Sequence, residues 1–420
     1  MSSGTGERTP TRRPVITGIG ALAPTGIGAA ALWRAACRGR RAIAPLTRYD
    51  PRGTPLALAG QIEDFEPHDH LPGAFVAQTD RFTQLALAAA RMALDDARLD
   101  PAALPPYGVG VVTAACAGGV EFGQREIQRL WSRGPSYVGP YQSIAWFYAA
   151  STGQISIRHG LKGPSGVLVT DEAGGLDAVA HAAREIGRGA HAMLAGGAEA
   201  PLSPFSMACQ YGHGLLTRAT DPDRGYLPLT GSASGFVPAE GGAMVVLEAH
   251  DEALARGARP RAAVLGHGQT FTGARRFERS AEGLAVAART ALAAAGRTVH
   301  EVDAVFADAL GTPDADRAEA AALRLLFGDT PVPVTAPKAG YGRAYAGAAA
   351  LDVALAALSL DHGTLPATPC PHDPLPGIDL VTGRPRALHP RTVLLLARGL
   401  SGGNSALVLG RTDPDSQEEP

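Results

Sequence analysis

One cysteine stands where a strand-like run passes into a helix-like run, a place where proteins can activate a nucleophile. Cys116 follows the apolar residues 109–113 and precedes a glycine-rich turn and a helical segment. A helix N-terminus lowers the pKa of a nearby thiol, and the thiolate is the reactive form. Catalysis also requires a base and oxyanion donors. Cys116 is therefore a candidate nucleophile, and the alternative is a small buried cysteine in a Gly/Ala turn.

Two further motifs suggest a cofactor or a metal, but each lacks an essential part. The GIG sequence at residues 18–20 follows a strand, yet the third glycine of a dinucleotide fingerprint is not at its place. His68, Asp69 and His70 could ligate a metal, but their Pro-rich, acidic loop offers no obvious third ligand. We interpret them as a tight turn and a solvated loop. Nothing in the sequence demands a metal, a flavin or a nicotinamide, so we expect no cofactor.

These residues are carried by strands and helices that alternate along the chain. Asp80 caps a predicted helix whose apolar positions recur at helical spacing. Continuous apolar strands imply helices on both faces of a sheet, so the sequence predicts an α/β fold. The predicted strands are short apolar runs at residues 15–19, 109–113, 167–170 and 192–195.

The two halves of the chain repeat one pattern. Residues 174–180 and residues 349–355 have similar sequences, and each segment opens an Ala-rich helix. An apolar strand follows each helix, at residues 192–195 and residues 393–396. Small residues allow close packing, which suits helices buried between two sheets. The pattern therefore indicates a duplicated architecture.

Composition excludes several classes of function. The chain has 420 residues, 45% of them hydrophobic, which is enough for one large domain or two fused halves. The net charge is -2 without a basic block, which argues against nucleic-acid binding. No stretch approaches the roughly 18 apolar residues of a membrane span, and the polar N-terminus is not a secretory signal. The four cysteines form no CxxC pair, so we expect a reducing cytoplasm.

The body of the chain, from Arg13 to Gly410, resembles the β-ketoacyl-ACP synthases of the thiolase-like superfamily. The sequence GFVPAEGG at residues 235–242 is similar to that family's GFV-x-GEGAG segment. The resemblance implies a duplicated thiolase-like fold with α/β/α/β/α layers and two mixed sheets of the five-stranded type. Other matches occur in the family's order: residues 15–20, residues 80–82, Asp316, Arg317, Glu319, Lys338, Gly402 and Gly403.

The same resemblance predicts how the chain divides. We expect an N-terminal ketosynthase-like half at residues 13–255 and a C-terminal half at residues 256–411. The polar segments outside them, residues 1–12 and residues 412–420, are predicted to be a disordered arm and a disordered tail.

Condensing members of this family use a cysteine and two histidines, and all three aligned positions differ here. Glu172 in TDEAGGLDA replaces the cysteine, Asp308 in ADALGT replaces the first histidine, and Arg343 in KAGYGR replaces the second. In these positions the chain resembles the β subunit, or chain length factor, of type II aromatic polyketide synthases. That subfamily has Gln-Ala-Gly-Gly, Phe-Ala-Asp-Ala and Gly-Arg there. The departure is Glu172, where an amide is usual.

The altered residues make covalent condensation on this chain implausible. A carboxylate is a weak nucleophile, and its mixed anhydride would hydrolyse readily. We expect Arg343 to bridge Glu172 and Asp308. An acid left buried and unpaired would have a raised pKa and could be protonated, imitating the usual glutamine. The alignment also places Cys116 one strand-turn unit too early for the family's nucleophile.

The resemblance further implies a shaping role in a heterodimer. The partners would be a catalytic ketosynthase subunit and, transiently, an acyl carrier protein, with a polyketide tunnel along the subunit interface. The tunnel gate is expected on the helix after Gly119, at Val120, Gly123 and Ile127, which share one helix face. Because Gly123 has no side chain, we predict a long product, decaketide or beyond. The alternative for these positions is ordinary helix packing.

Two enzymatic functions remain as alternatives. The chain could decarboxylate malonyl-ACP through Glu172, with oxyanion donors from the region of Gly402 and Gly403. An ionised Glu172 would repel the malonyl carboxylate, whereas a protonated one could donate to the thioester oxygen. A stand-alone condensing enzyme using Cys116 is opposed by the missing histidines.

Overall fold

A computed structural model describes residues 12–273, 280–370 and 373–412 of the chain. The predicted disordered arm and tail lie outside the described residues, except for Arg12 and Thr412 at their inner ends. The structural statements below concern the described ranges.

The strands and helices alternate as the sequence predicted. The strands are β1 (Pro14–Ala23), β2 (Gly26–Ile27), β3 (Ile43–Pro45), β4 (Leu58–Gly60), β5 (Val109–Ala114), β6 (Ser165–Leu168), β7 (Ala192–Glu199), β8 (Gly241–Ala249), β9 (Ala262–Phe271), β10 (Ala304–Phe306), β11 (Pro333–Thr335), β12 (Thr364–Leu365), β13 (Asp379–Leu380), β14 (Arg386–Ala387), β15 (Thr392–Arg398) and β16 (Gly403–Gly410). The helices are α1 (Ala29–Cys37), α2 (Pro67–His70), α3 (Gly73–Gln78), α4 (Arg81–Ala97), α5 (Val120–Arg133), α6 (Gln142–Ala145), α7 (Ala150–His159), α8 (Gly174–Gly187), α9 (Pro204–Tyr211), α10 (His250–Ala255), α11 (Ser280–Ala294), α12 (Pro313–Phe327) and α13 (Ala346–His362).

Each half of the chain builds a mixed sheet with the same strand pattern. In the first half the order is β6-β5-β7-β8-β1, with parallel pairs around β5 and antiparallel pairs around β8. In the second half β11-β10-β15-β16-β9 repeats that succession, with the short β13 added beside β11. The predicted duplication is therefore visible in the topology.

The two sheets differ from the expectation in one respect, because they are joined edge to edge. β1 and β9 are the equivalent last strands of the two halves, and they pair antiparallel through Val15 with Ala263 and Ile16 with Ala262. With β2 on the side of β1, the result is one continuous 12-stranded sheet. Two equivalent edges that face each other can share backbone hydrogen bonds, and sharing them removes two exposed edges.

The five predicted layers correspond to a hydrophobic core that is divided into separate clusters between the helices and the sheets. The central apolar cluster contains α8 and α13 packed against strands of both halves. A second cluster joins α4 and α7 to the outer face of the first half, and a third joins α11 and α12 to the outer face of the second. Gly175 shows how close the central helices lie, because a Cβ there would come within 2.6 Å of the Ala346 carbonyl oxygen.

Candidate functional site

The three altered positions meet in the interior, although they are far apart in the chain. Glu172 lies in the short turn Asp171–Ala173 that leads into α8. Asp308 follows β10, and Arg343 precedes α13. Their exposed fractions are 4%, 2% and 1% respectively, so all three are buried. Loops that follow parallel strands gather at one edge of the sheet, which explains why the fold brings these side chains together.

Asp308 is the centre of a buried ion-pair network. Nη2 of Arg343 donates to Oδ1 of Asp308 at 2.8 Å, and Nη1 donates to the Asp308 carbonyl oxygen at 2.9 Å. Nε of Arg398 donates to Oδ2 of Asp308 at 3.1 Å. Burial alone would raise the pKa of Asp308, but the two guanidinium groups outweigh it and hold that pKa at about 2. Asp308 is therefore a carboxylate at every ordinary pH.

Arg398 was not predicted from the sequence, yet it connects the network to a retained family residue. Its Nη2 donates to Oε2 of Glu319 at 3.2 Å. Glu319 also accepts the backbone N–H groups of Asp308 and Ala309, each at 2.8 Å. Glu319 therefore fixes the turn that presents Asp308. The available signal was an arginine that ends the otherwise apolar run TVLLLAR of β15.

Lys338 stabilises the same turn, the one that presents Asp308. Its Nζ donates to the carbonyl oxygens of Ala307 at 2.9 Å and Asp308 at 3.2 Å, and it forms an ion pair with Asp352 on α13. Burial raises the pKa of Asp352 to about 6, although Lys338 partly offsets that effect. Lys338 thus ties α13 to the strand end that carries Asp308.

Glu172 does not join this network, so the predicted bridge is found on one side only. Within the described residues, no hydrogen bond or ion pair links Glu172 to Arg343. Instead, Oε2 of Glu172 accepts the backbone N–H of Leu400 at 3.2 Å. Burial raises the pKa of Glu172 to about 7, against the opposing effect of the Arg343 charge. The physical reason is that Asp308 and two carbonyl oxygens already occupy the ends of the Arg343 guanidinium.

Each of the four backbone N–H groups in the turn at residues 399–402 already donates a hydrogen bond within the chain. Leu400 donates to Glu172, as described above, and Ser401 donates to Oδ2 of the adjacent Asp171 at 3.0 Å. The Gly399 N–H donates to the Gly403 carbonyl oxygen at 2.9 Å, and the Gly402 N–H to the Gly399 carbonyl oxygen at 3.0 Å. The N–H groups of residues 399–402, including the Gly402 N–H of the predicted oxyanion region, are therefore engaged within this turn or by Asp171 and Glu172.

Cys116 lies near Glu172 but in an environment that opposes its ionisation. Its backbone N–H donates to the buried carboxyl group of Glu199, a residue that the sequence had not indicated. Burial raises the pKa of the Cys116 thiol well above its usual value, and the negative charges of Glu199 and Glu172 raise it further. These surroundings favour the unreactive thiol, in agreement with the family alignment.

The three predicted gate residues lie on α5 as expected, and the structure shows what each one faces. Gly123 is buried, and a Cβ on it would lie 3.4 Å from Cβ of Trp146 and 3.8 Å from Nε2 of Gln142. Val120, at the start of the helix, is partly exposed, whereas Ile127 is well exposed. Gly123 therefore packs against the end of α6 within the same chain.

An aromatic surface surrounds this part of α5. Its most exposed member is Trp131, with 83% of its surface accessible, and Trp146 is 49% exposed. Single exposed apolar residues are ordinary, but a group on adjoining elements marks an interaction site. We define the aromatic surface as Ile127, Trp131, Tyr137, Ile144, Trp146, Phe147 and Tyr148.

Neither a membrane span nor a metal cluster is found in the parts of the chain that the structure describes. No helix there is long and apolar enough to cross a membrane. No group of three or more His, Cys, Asp and Glu residues there could hold a metal ion. His68 and His70 lie in the short helix α2, so the loop expected there was wrong, and the ring centroids of His70 and Phe65 stack at 5.1 Å.

Both halves of the chain match known protein families. Residues 11–253 match the family described as beta-ketoacyl synthase, N-terminal domain. Residues 261–370 match the family described as beta-ketoacyl synthase, C-terminal domain.

Similar proteins match along nearly the whole length. A polyketide beta-ketoacyl synthase 2 of Streptomyces halstedii is 58% identical over 403 residues, covering 95% of this chain and 97% of the relative. The tetracenomycin polyketide synthase ketoacyl synthase beta subunit of Streptomyces glaucescens is 50% identical, covering 94% and 98%. Among solved structures, the ishigamide ketosynthase/chain length factor matches with a TM-score of 0.88 and 28% identity, covering 96% of this chain and 100% of its own.

Proposed function

Because the chain belongs to the β-ketoacyl synthase family and its buried cluster is an altered ketosynthase site, we propose that the chain is a non-condensing β subunit. In this role, also called chain length factor, it pairs with a catalytic ketosynthase in a type II polyketide synthase and shapes the polyketide tunnel. The observation that carries the proposal is the ion-paired network of Asp308, Arg343 and Arg398 in place of the catalytic histidines.

This cluster cannot perform the condensing reaction. Condensation requires a nucleophile that keeps the growing acyl chain and a neutral donor that stabilises the enolate. Glu172 offers only a carboxyl group, and Asp308 and Arg343 neutralise each other at 2.8 Å. A buried carboxylate held by guanidinium groups maintains the fold around the site but does not supply a group that exchanges a proton with substrate.

Two surface features support pairing with a catalytic ketosynthase. The aromatic surface offers apolar area that a partner would bury. β6 is the edge strand of the first half, and no other strand in the described residues pairs with its outer edge. An unpaired sheet edge is suited to a sheet that continues into a second subunit. The relative and the solved structure named above are a beta subunit and a ketosynthase/chain length factor.

Several finer predictions belong to the same proposal. An acyl carrier protein would be the second, transient partner, and the complex would act in the cytoplasm. We keep the boundary between the halves at residues 13–255 and 256–411, which is supported by the helix α10 between β8 and β9. The long product, decaketide or beyond, stays a prediction, since its argument requires the space beside Gly123 to be open to the tunnel.

The decarboxylase alternative is weakened by the turn at residues 399–402. A malonyl thioester that lost its carboxylate as carbon dioxide beside Glu172 would leave an enolate, whose oxygen would need backbone donors. The Leu400 N–H is bonded to Glu172 itself at 3.2 Å, and its neighbours in the turn are engaged as well. Decarboxylation would therefore require this turn to open first.

The experiment that tests the proposal presents malonyl-ACP to the purified chain, alone and with a catalytic ketosynthase subunit. Intact masses of both proteins and of the carrier are then recorded, and complex formation is followed by size-exclusion chromatography. We expect a heterodimer, polyketide formation only in its presence, and no acyl adduct on this chain. Acetyl-ACP made by this chain alone would favour the decarboxylase, and an adduct on Cys116 would overturn the alignment.

A matched pair of variants separates these outcomes. Cys116→Ala removes the thiol, and we expect it to leave polyketide formation by the heterodimer unchanged. Trp131→Asp places a charge in the aromatic surface, where we expect it to prevent assembly. A heterodimer that forms equally well with Trp131→Asp would contradict the proposed interface.

A further inference from the structure

We infer that Trp146 is the side chain through which α5 controls product length, so that the residue at position 123 acts by placing the Trp146 indole. This inference rests on the proposed function, because it assigns a wall residue of the polyketide tunnel. The sequence argument took the missing side chain of Gly123 as open volume. In the structure, the position where a Cβ would be built lies 3.4 Å from Cβ of Trp146.

The backbone of Trp146 is held in place by the start of α5. The Gly119 N–H donates to the Trp146 carbonyl oxygen at 3.0 Å. A Cβ on Gly118 would come within 2.6 Å of that same oxygen, and one on Gly119 within 1.9 Å of the Ala145 carbonyl oxygen. Glycines at both positions therefore allow the backbone of residues 145 and 146 to approach the helix. With the backbone fixed, a change at position 123 acts on the side chains it faces, which are Trp146 and, slightly farther away, Gln142.

The contact distance predicts how that response depends on size. A separation of 3.4 Å between carbon atoms is at the short end of ordinary van der Waals contact, so alanine fits with little movement. A branched side chain such as leucine extends past this point, and we expect it to displace the indole, because the Gly119 hydrogen bond holds the Trp146 backbone against the start of α5. We expect the displaced indole to move away from α5 and into the space in front of the aromatic surface.

The indole is chemically suited to contact a polyketide. Trp146 is 49% exposed in the single chain, so about half of its surface is open to a partner or a ligand. A flat apolar ring can pack along an extended acyl chain, and an indole N–H is a hydrogen-bond donor for ketone oxygens. The ring would thus limit chain growth by its volume.

The experiment measures products of the heterodimer with Trp146→Ala, Gly123→Leu and the double variant by liquid chromatography and mass spectrometry. We expect Trp146→Ala to lengthen the main product by at least one two-carbon unit and Gly123→Leu to shorten it. In the double variant the effect of leucine is expected to disappear, because its target is gone; such coupling is the test of contact between two positions. Leucine at Gly187, an exposed helix glycine with open space around it among the described residues, is the matched control.

The outcomes distinguish this inference from the proposed function. Assembled variants that all give the unsubstituted product would overturn the role of Trp146 and leave the β-subunit assignment intact. Failure of the unsubstituted chain to assemble or support polyketide formation would overturn the proposed function instead. A shortening by Gly123→Leu that persists without the indole would show that position 123 acts directly.

If Trp146→Ala does not assemble, a fluorescence measurement tests whether the Trp146 indole responds to the growing polyketide. The chain has three tryptophans, so Trp33→Phe with Trp131→Phe leaves Trp146 as the only indole emitter in this subunit. With a tryptophan-free catalytic partner, chain growth after malonyl-ACP addition is expected to shift the Trp146 emission. Emission that does not change while polyketide accumulates would overturn the inference.

Discussion

Glu172→Gln replaces one oxygen by nitrogen, and it tests whether Glu172 is buried as a weakened acid. Burial raises its pKa from 4.5 to about 7. Below pH 4.5 the group is protonated in both the folded and the unfolded chain, so it contributes no pH dependence. Between pH 4.5 and about 7 only the folded chain retains the proton, so the stability falls as pH rises. Above this window the full cost of the buried charge is present.

The size of the effect follows from the width of that window. One pKa unit corresponds to about 1.4 kcal/mol, so the free energy of unfolding falls by about 3 kcal/mol across it. Glutamine cannot ionise, and its amide oxygen can still accept the Leu400 N–H. We therefore expect Glu172→Gln to have nearly the stability of the natural chain at pH 4.5 and to exceed it by about 3 kcal/mol at pH 8.

The assay is urea unfolding of the heterodimer at several values between pH 4.5 and pH 8, with the protomer concentration held constant. The difference between the variant and the natural chain is taken at each pH, which removes contributions common to both. Glu282→Gln, at an exposed position on α11, is the control for loss of a negative charge. A difference that stays constant across the range would refute the reasoning, because it would mean that the pKa of Glu172 in the folded chain is close to its ordinary value.

Two further predictions concern the ion-paired network. Asp308→Asn leaves two buried guanidinium groups without their shared carboxylate, and we expect it to lower the free energy of unfolding by about 3–5 kcal/mol. Asp314→Asn removes an exposed, ion-paired acid and is expected to cost less than about 1 kcal/mol, so equal losses in urea unfolding would contradict the argument. Lys338→Met leaves Asp352 buried beside an uncharged side chain. Its destabilisation is expected to grow between pH 6 and pH 8, and a loss of equal size at both values would show that Asp352 is not ionised.

The elements that periodicity predicted are confirmed, with boundaries that differ by a few residues. The run at residues 109–113 is β5, and residues 15–19 lie in the longer β1. The tight turn expected at the GIG sequence of residues 18–20 was wrong, because β1 continues through it and its glycines let α4 pack closely on the strand. Asp80 caps α4 as predicted, with its side chain accepting the Phe82 N–H at 3.0 Å. These features depend on local apolar spacing and on capping chemistry, which a single sequence displays directly.

The partners within the site could be predicted only in part. The family resemblance predicted which residues replace the catalytic cysteine and histidines, and the expected pairing of Arg343 with Asp308 is present in the structure. It did not identify Arg398 as the second cation or Glu199 as the acceptor beside Cys116. Both lie at the ends of apolar strands, where a charged residue is equally compatible with an exposed strand end.

The sequence by itself determined the alternation of strands and helices and the duplication, and through its family resemblance it predicted the loss of the condensing residues. Tertiary structure alone decided that Glu172 bonds to Leu400 instead of joining the pair of Arg343 and Asp308, and that Trp146 and Gln142 lie beside Gly123. The physical reason is that helical and strand periodicity repeat within a few residues. A buried charge or cavity instead depends on side chains that are distant in the chain and that meet only when the layers pack.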